Sequence, residues 1–245
     1  MEQLAGKAAI VTGGGRGIGR SIALAFAQAG ADVCVTARTQ SQLDEVSDGI
    51  RQLGRKGLAV VCDVSDRRQV DAAVETAAAE LGRIDILVNN AGGGQERTNV
   101  GDDDPEAWRD VIDVNLLGTY YFSRAILPHL RKSGGGAIIN VGSGMGHEAR
   151  GGNSSYNAAK AAVWMFTRCL AMEVWQDNIA VNELIPGPVY TELTAKIFQL
   201  HTPHPAVQSE WVKQPDDVAP FALLMASQDQ HGPTGQSFSL ARRPL

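Results

Sequence analysis

Tyr156 and Lys160, four residues apart in SSYNAAKAAVWMF, have the spacing in this 245-residue chain that most suggests chemistry. The pattern around them is helical, so both project from one face. A phenol with its ordinary pKa near ~10 is a poor base at neutral pH. A neighbouring ammonium favours phenolate and is expected to lower that value by direct charge interaction. Such a pair can pass a proton to or from an alcohol oxygen. Ser143, thirteen residues before the tyrosine, directly follows the apolar run AIINVG. A hydroxyl there can hydrogen-bond a substrate oxygen and hold it facing the phenol. In most proteins Tyr and Lys at this spacing are an ordinary solvated pair, so the reading depends on context.

The context begins with TGGGRGIG, set between the apolar run KAAIVT and the helical pattern RSIALAFAQAG. Its G-x3-G-x-G spacing permits a tight turn and lets backbone N–H groups at a helix start meet a pyrophosphate. Thr12, Gly13, Gly15, Arg16, Gly17, Ile18 and Gly19 are the candidate contacts. An NAD site usually places a carboxylate at the end of the second strand, whereas here VTAR puts Ala37 and Arg38 there. A guanidinium binds a ribose 2′-phosphate that a carboxylate would repel, and Arg16 can close on it from the other side. The expected cofactor is therefore NADP(H), with NAD(H) also possible. In CDVSD, Asp63 suits either the adenine amino group or a helix cap, with Val64 beside it. In NNAG, Asn89 and Asn90 can tie neighbouring strands, while Ala91 and Gly92 leave clearance for a ribose.

These residues need a frame. Apolar, β-branched runs at 8–12, 32–37, 58–62, 84–90, 137–142, 179–185 and 237–240 alternate with helical patterns near 17–29, 39–53, 66–81, 105–131, 155–176 and 216–227. That alternation predicts a single α/β domain over residues 1–245, a Rossmann-type doubly wound parallel sheet of about seven strands flanked by helices. Ligands in such folds sit at the carboxyl ends of the strands. The composition, 44% hydrophobic and 20% charged, supports one sizeable core. A net charge of -5 argues against a nucleic-acid surface. No run approaches ~18 apolar residues and no leader pattern opens the chain, so a cytoplasmic protein without a membrane partner is expected. Cys34, Cys62 and Cys169 are far apart in apolar runs and read as buried small hydrophobes. Asp104 before Pro105 in GDDDPEAW reads as a helix start rather than a metal site. The five histidines make no metal-ligand pattern, and His201 and His204 read as loop residues that can line a substrate entrance.

Taken in order, TGGGRGIG, NNAG, the serine thirteen residues before YNAAK, and PGPVYT resemble the short-chain dehydrogenase/reductase family along essentially the whole chain, in the manner of 3-oxoacyl-acyl-carrier-protein reductases. The resemblance implies a catalytic set of Asn115, Ser143, Tyr156 and Lys160. Tyr156 would be the general acid/base, Lys160 the ribose contact that lowers its pKa, Ser143 the carbonyl positioner, and Asn115 the support of a water chain. It also implies that Pro186, Gly187, Val189 and Thr191 contact the nicotinamide side, and that residues 190–213 form a substrate lid. The expected reaction interconverts a small-molecule ketone or aldehyde and an alcohol, without a metal. A dinucleotide-binding sensor of the same fold is the alternative. One departure concerns Gly142 and Gly144 beside the serine, where the family often has a second hydroxyl; a roomier, less polar pocket wall is expected. A 3-oxoacyl thioester, a cyclic ketone, a polyol and a steroid-sized ketone all stay open as substrates. Tyr120, Tyr121, Phe122, Trp164, Met165 and Phe166 exceed what one helix stripe needs, which suggests a second buried surface. The resemblance implies a homotetramer.

Overall fold

The computed structural model describes residues 2–94, 98–205, 207–229 and 231–243. Its main sheet is built from β1 (Ala8–Thr12), β2 (Asp32–Ala37), β3 (Gly57–Val61), β4 (Ile86–Asn89), β5 (Gly136–Val141), β6 (Ile179–Ile185) and β9 (Ser237–Ser239). A separate hairpin joins β7 (Pro203–His204) to β8 (Val207–Trp211). The helices are α1 (Gly17–Gln28), α2 (Gln40–Gln52), α3 (Arg67–Leu81), α4 (Pro105–Ile112), α5 (Gly118–Lys132), α6 (Ser154–Val174) and α7 (Ala219–Ala226).

Alternate residues of each strand feed opposite cores, and both must be apolar because helices cover both faces. Ala9, Val11, Val33, Val35, Ile86, Val88 and Ile139 pack with Ile22 and Phe26 of α1, Leu43 and Val46 of α2, and Ala222 of α7. Ala8, Ile10, Cys34, Leu87, Ile138 and Val181 pack with Val70 and Val74 of α3, Phe122 and Ile126 of α5, and Leu170 and Val174 of α6. The result is three layers with the sheet in the middle.

All seven strands run parallel in the order β3-β2-β1-β4-β5-β6-β9. The order reverses between β1 and β4, which pair at Val11 and Val88. Chain leaving these two strands turns to opposite faces, so a crevice opens above their carboxyl ends. The loops after β1, β4, β5 and β6 surround it.

Several details depart from the sequence expectation. The helix expected across 105–131 runs without a gap from Pro105 to Lys132, but a π-helical turn at Asp113–Leu117, which the sequence did not announce, separates α4 from α5. The first starts as expected: Asp104 accepts from Glu106 N, with Pro105 in the first turn. Cys169 is exposed, contrary to expectation, because it lies on the outer side of α6 while Cys34 and Cys62 are buried. The stretch from 190 to 213, whose Ala206 lies outside the described residues, carries the β7–β8 hairpin rather than loop alone. His204 accordingly lies in a strand, and His201 adopts a positive φ of 58° just before it. Among the described residues no helix is long and apolar enough to cross a membrane.

Candidate active site

At the crevice, α6 begins soon after the loop that follows β5, which brings its first turns against Ser143. Ser143 precedes a 3-10 turn at Gly144–Gly146, and its Oγ accepts from Met145 N at 3.1 Å. The Ser143 hydroxyl stands near the Tyr156 hydroxyl, close enough to favour its phenolate form. Lys160, 5% exposed, donates from Nζ to Val141 O at 2.8 Å and lies 5.6 Å from the Tyr156 ring centroid. Its ammonium is therefore committed to a backbone carbonyl.

That commitment corrects the expected electrostatics of the phenol. Burial pushes the Tyr156 pKa up, and the Ser143 hydroxyl only partly opposes it. The ammonium, at this position, does not reverse the direction. Burial also pushes Lys160 down to about 8, with the Glu183 carboxylate acting the other way. A half-buried neutral phenol with a raised pKa is a proton donor more readily than a base.

Asn115 sits in the π-helical turn, fully buried. Its Nδ2 donates to Gly93 O at 2.7 Å and Val111 O at 2.9 Å, while its Oδ1 accepts from Gly93 N at 3.2 Å. The side chain thereby clamps the strand exit after β4. The π turn suits this role because its extra residue re-aims a side chain that a regular helix would place elsewhere. A Cβ on Gly92 would lie 3.4 Å from Lys160 Nζ and 2.5 Å from Asn115 Oδ1, so these two side chains flank Gly92, and the Tyr156 ring centroid is 5.6 Å from the same ammonium.

The glycine loop is locked to β4 from below. Thr12 Oγ1 accepts from Asn90 N and Ala91 N, each at 3.0 Å, and Asn90 Nδ2 donates to Thr12 O at 2.9 Å. A Cβ on Gly19 would overlap Gly13 O and approach Asn90 Nδ2. Only a glycine lets helix and loop come this close. Ile18 packs against the core instead of facing the groove. The start of α1 has no side-chain cap, unlike α3 and α4, which Asp66 and Asp104 cap. The uncapped amides at the start of α1, beside Gly17, fit a bound dinucleotide phosphate.

On the adenosine side, Arg38 is exposed just past β2. Arg16 pairs through Nη1 with Glu192 Oε2 at 2.8 Å, linking the glycine loop to the segment after β6. Asp63 accepts from Ser65 N at 3.0 Å and Ser65 Oγ at 2.6 Å. It is not the cap of α3; that position belongs to Asp66. The Val64 side chain is buried under α5 in the second core, leaving only its backbone for the groove.

On the other side, Pro186 and Val189 are buried, and Gly187 takes a φ of 69°. Thr191 N donates to Thr194 Oγ1 at 2.9 Å. Thr191 and Leu193 approach within 3.4 Å and 3.3 Å of where Cβ atoms on Gly17 and Gly93 would stand. The turn at Thr191–Leu193 therefore lies close to both the glycine loop and the chain leaving β4.

Glu183 and His147 escaped the sequence reading. The Glu183 side chain is fully buried on β6, accepts from Ser237 Oγ at 2.5 Å and lies 3.2 Å from His147 Nε2. A Cβ on Gly142 would overlap its carboxylate. Contrary to expectation, Gly142 therefore does not widen a substrate pocket; the space is filled by the glutamate. A charged residue inside the apolar strand IAVNELI was the available signal.

The family model described as short chain dehydrogenase matches residues 7–201. The chain is 34% identical over 245 residues to the 7alpha-hydroxysteroid dehydrogenase of Escherichia coli (strain K12), covering 98% of this chain and 94% of that protein. It is 36% identical over 236 residues to the 3-oxoacyl-(acyl-carrier-protein) reductase FabG of Vibrio harveyi, covering 96% and 95%. The solved structure of carveol dehydrogenase from Mycobacterium avium in complex with NAD matches with a TM-score of 0.88 at 30% identity, covering 97% of each chain. With the parallel sheet and the residues gathered at its open end, these likenesses show that the chain belongs to the short-chain dehydrogenase/reductase family and is an oxidoreductase of CH–OH and C=O groups.

Proposed function

We propose that this chain is an NADP(H)-dependent oxidoreductase that interconverts a ketone or aldehyde and an alcohol, with Tyr156 as the general acid/base. The observation that carries the reading is the juxtaposition of Tyr156 with Ser143 and with the Lys160 ammonium, 5.6 Å from its ring, where the strands end. When bound, the dinucleotide supplies or accepts the hydride. Ser143 holds the substrate oxygen against Tyr156, and Tyr156 donates its proton to that oxygen as charge develops there. The raised phenol pKa keeps that proton in place at neutral pH. Lys160, which keeps two further N–H groups beyond the one donated to Val141 O, would hold the nicotinamide ribose, and Asn115 would support the proton's path to solvent.

Thr12, Gly13, Gly15, Gly17, Gly19, Asn90, Ala91 and Gly92 shape the floor for the pyrophosphate and ribose. Pro186, Gly187, Val189 and Thr191 border the nicotinamide. Arg38 would bind the 2′-phosphate, and Arg16 would join it by leaving Glu192, an exchange that costs little because both partners are exposed. NAD(H) is the second reading, since carveol dehydrogenase is described in complex with NAD. A sensor without turnover is less favoured, because it has no use for a half-buried proton donor. The relatives suggest a hydroxysteroid-like alcohol or a 3-oxoacyl thioester as substrate.

The test follows absorbance loss of NADPH and NADH with a panel of ketones and aldehydes. Wild type should turn over, while Tyr156→Phe should bind dinucleotide normally and lose about 10²- to 10⁴-fold in rate. Undiminished turnover in that variant overturns the assignment.

A further inference from the structure

A carboxylate taken wholly out of water is costly unless it is hydrogen-bonded and charge-balanced, so Glu183 calls for a reason. Its surroundings are built for it from four directions. Gly142, on the chain leaving β5, has no side chain where the carboxylate lies. Ser237 of β9 donates to Oε2 at 2.5 Å, and Arg168 Nη2 of α6 lies behind that hydroxyl, donating to it at 3.4 Å. His147, from the segment after β5, meets both carboxylate oxygens, at 3.2 Å and 3.4 Å, and its ring stands edge-on to Trp164 with centroids 5.3 Å apart. Against an ionised carboxylate, His147 Nε2 carries the hydrogen and donates.

The fourth direction is the active site. Gly142 is the residue between Val141, whose carbonyl accepts from Lys160, and Ser143, which neighbours Tyr156. Lys160 of α6 is the charged group that interacts with Glu183 across this strand exit. The charged and titratable groups around the pair are thus His147, Arg168, Tyr156 and Lys160. Glu148, next in the chain, pairs with Arg243 at 2.5 Å.

We propose that Glu183 is a positioning residue of this site: anchored by His147 and Ser237 beneath Gly142, its carboxylate sets the strand exit that carries Ser143 and serves as the fixed counter-charge that keeps Lys160 protonated. The proposal rests on the reading of Tyr156 and Lys160 as the proton-transfer pair. The sign follows from charge alone. An anion favours the ammonium, so neutralising it lowers the proton affinity of Lys160.

Lysine labelled with ¹³C at Cε reports this without turnover, with Lys160→Met identifying the resonance. Glu183→Gln, which keeps the size and removes the charge, should move the Lys160 titration midpoint down by about one unit, a tenfold loss of proton affinity. Glu183→Asp should hold it near the wild-type value. Should Glu183→Gln fail to fold, the pair Gly142→Ala with Glu183→Ala refills the space with a methyl group and should show the same fall. An unchanged midpoint in either neutral variant overturns the proposal, as does an equal fall in Glu183→Asp. In steady-state assays the alkaline limb of the pH profile should move down by the same amount. Wild-type turnover and its loss in Tyr156→Phe decide the functional reading separately, so each can fail without the other.

Discussion

Lys160 is asked to be both buried and charged, and its environment shows the cost. Burial pushes its pKa from 10.5 down to about 8. A base whose folded pKa is depressed destabilises the fold fully below that folded value, and the penalty is relieved as pH rises towards the unfolded one. Lys160→Met should therefore gain most in melting temperature relative to wild type below pH about 8, and the gain should shrink as pH rises to 10.5. The change across that window is on the order of 3 kcal/mol. A gain that stays constant with pH would remove the lysine from this account. Arg38 makes a different residue-scale prediction. Arg38→Asp should weaken NADPH relative to NADH by roughly 10- to 100-fold in direct titration, since it replaces a charge-assisted contact with a repulsion. Equal loss for both dinucleotides would point to a purely structural arginine.

At the scale of elements, the glycine loop and α1 behave as one piece with β4. Gly19 lies within α1, where alanine ordinarily stabilises a helix by about 1 kcal/mol. Here the added methyl would overlap Gly13 O, and Asn90 Nδ2, which ties the loop to β4, would stand 2.5 Å away. Gly19→Ala is thus expected to lose about 1–3 kcal/mol in denaturant unfolding, the cost of overpacking, and to lose dinucleotide binding with it. A stabilised variant that still binds would show that the loop adapts. The motif was legible in the sequence because its spacing is local. The change of pitch between α4 and α5 was not, because DVNLLGTY is periodic enough to continue a helix. The π turn is recognised only when Asn115 is seen reaching Gly93.

For the molecule as a whole, the surplus of apolar residues on α5 and α6 divides in two. Phe122 is fully buried in the monomer, but Tyr120, Met165, Met172 and Trp175 are 42%, 49%, 76% and 55% exposed. Met165, Cys169 and Met172 recur at helical spacing along one side of α6, with Tyr120 of α5 also exposed. Exposed apolar side chains at this spacing are what an association surface presents. Wild type should sediment as a homotetramer, and the double change Met165→Glu with Met172→Glu should yield smaller species while leaving the monomer fold intact by circular dichroism. An unchanged sedimentation coefficient would move the contact elsewhere.

By itself the amino-acid order determined the layered α/β architecture, the glycine turn, and the grouping of Ser143, Tyr156 and Lys160, because strand and helix periodicities and i,i+4 spacing are properties of neighbouring residues. Only the tertiary structure decided what those groups feel. Desolvation and long-range charge depend on what the fold stacks around a side chain, so the direction of the Tyr156 shift could not be read from four residues of spacing. The same reason hid the partnership of Gly142 and Glu183, forty-one positions apart and brought together because β5 and β6 pair in register at Val141 and Leu184.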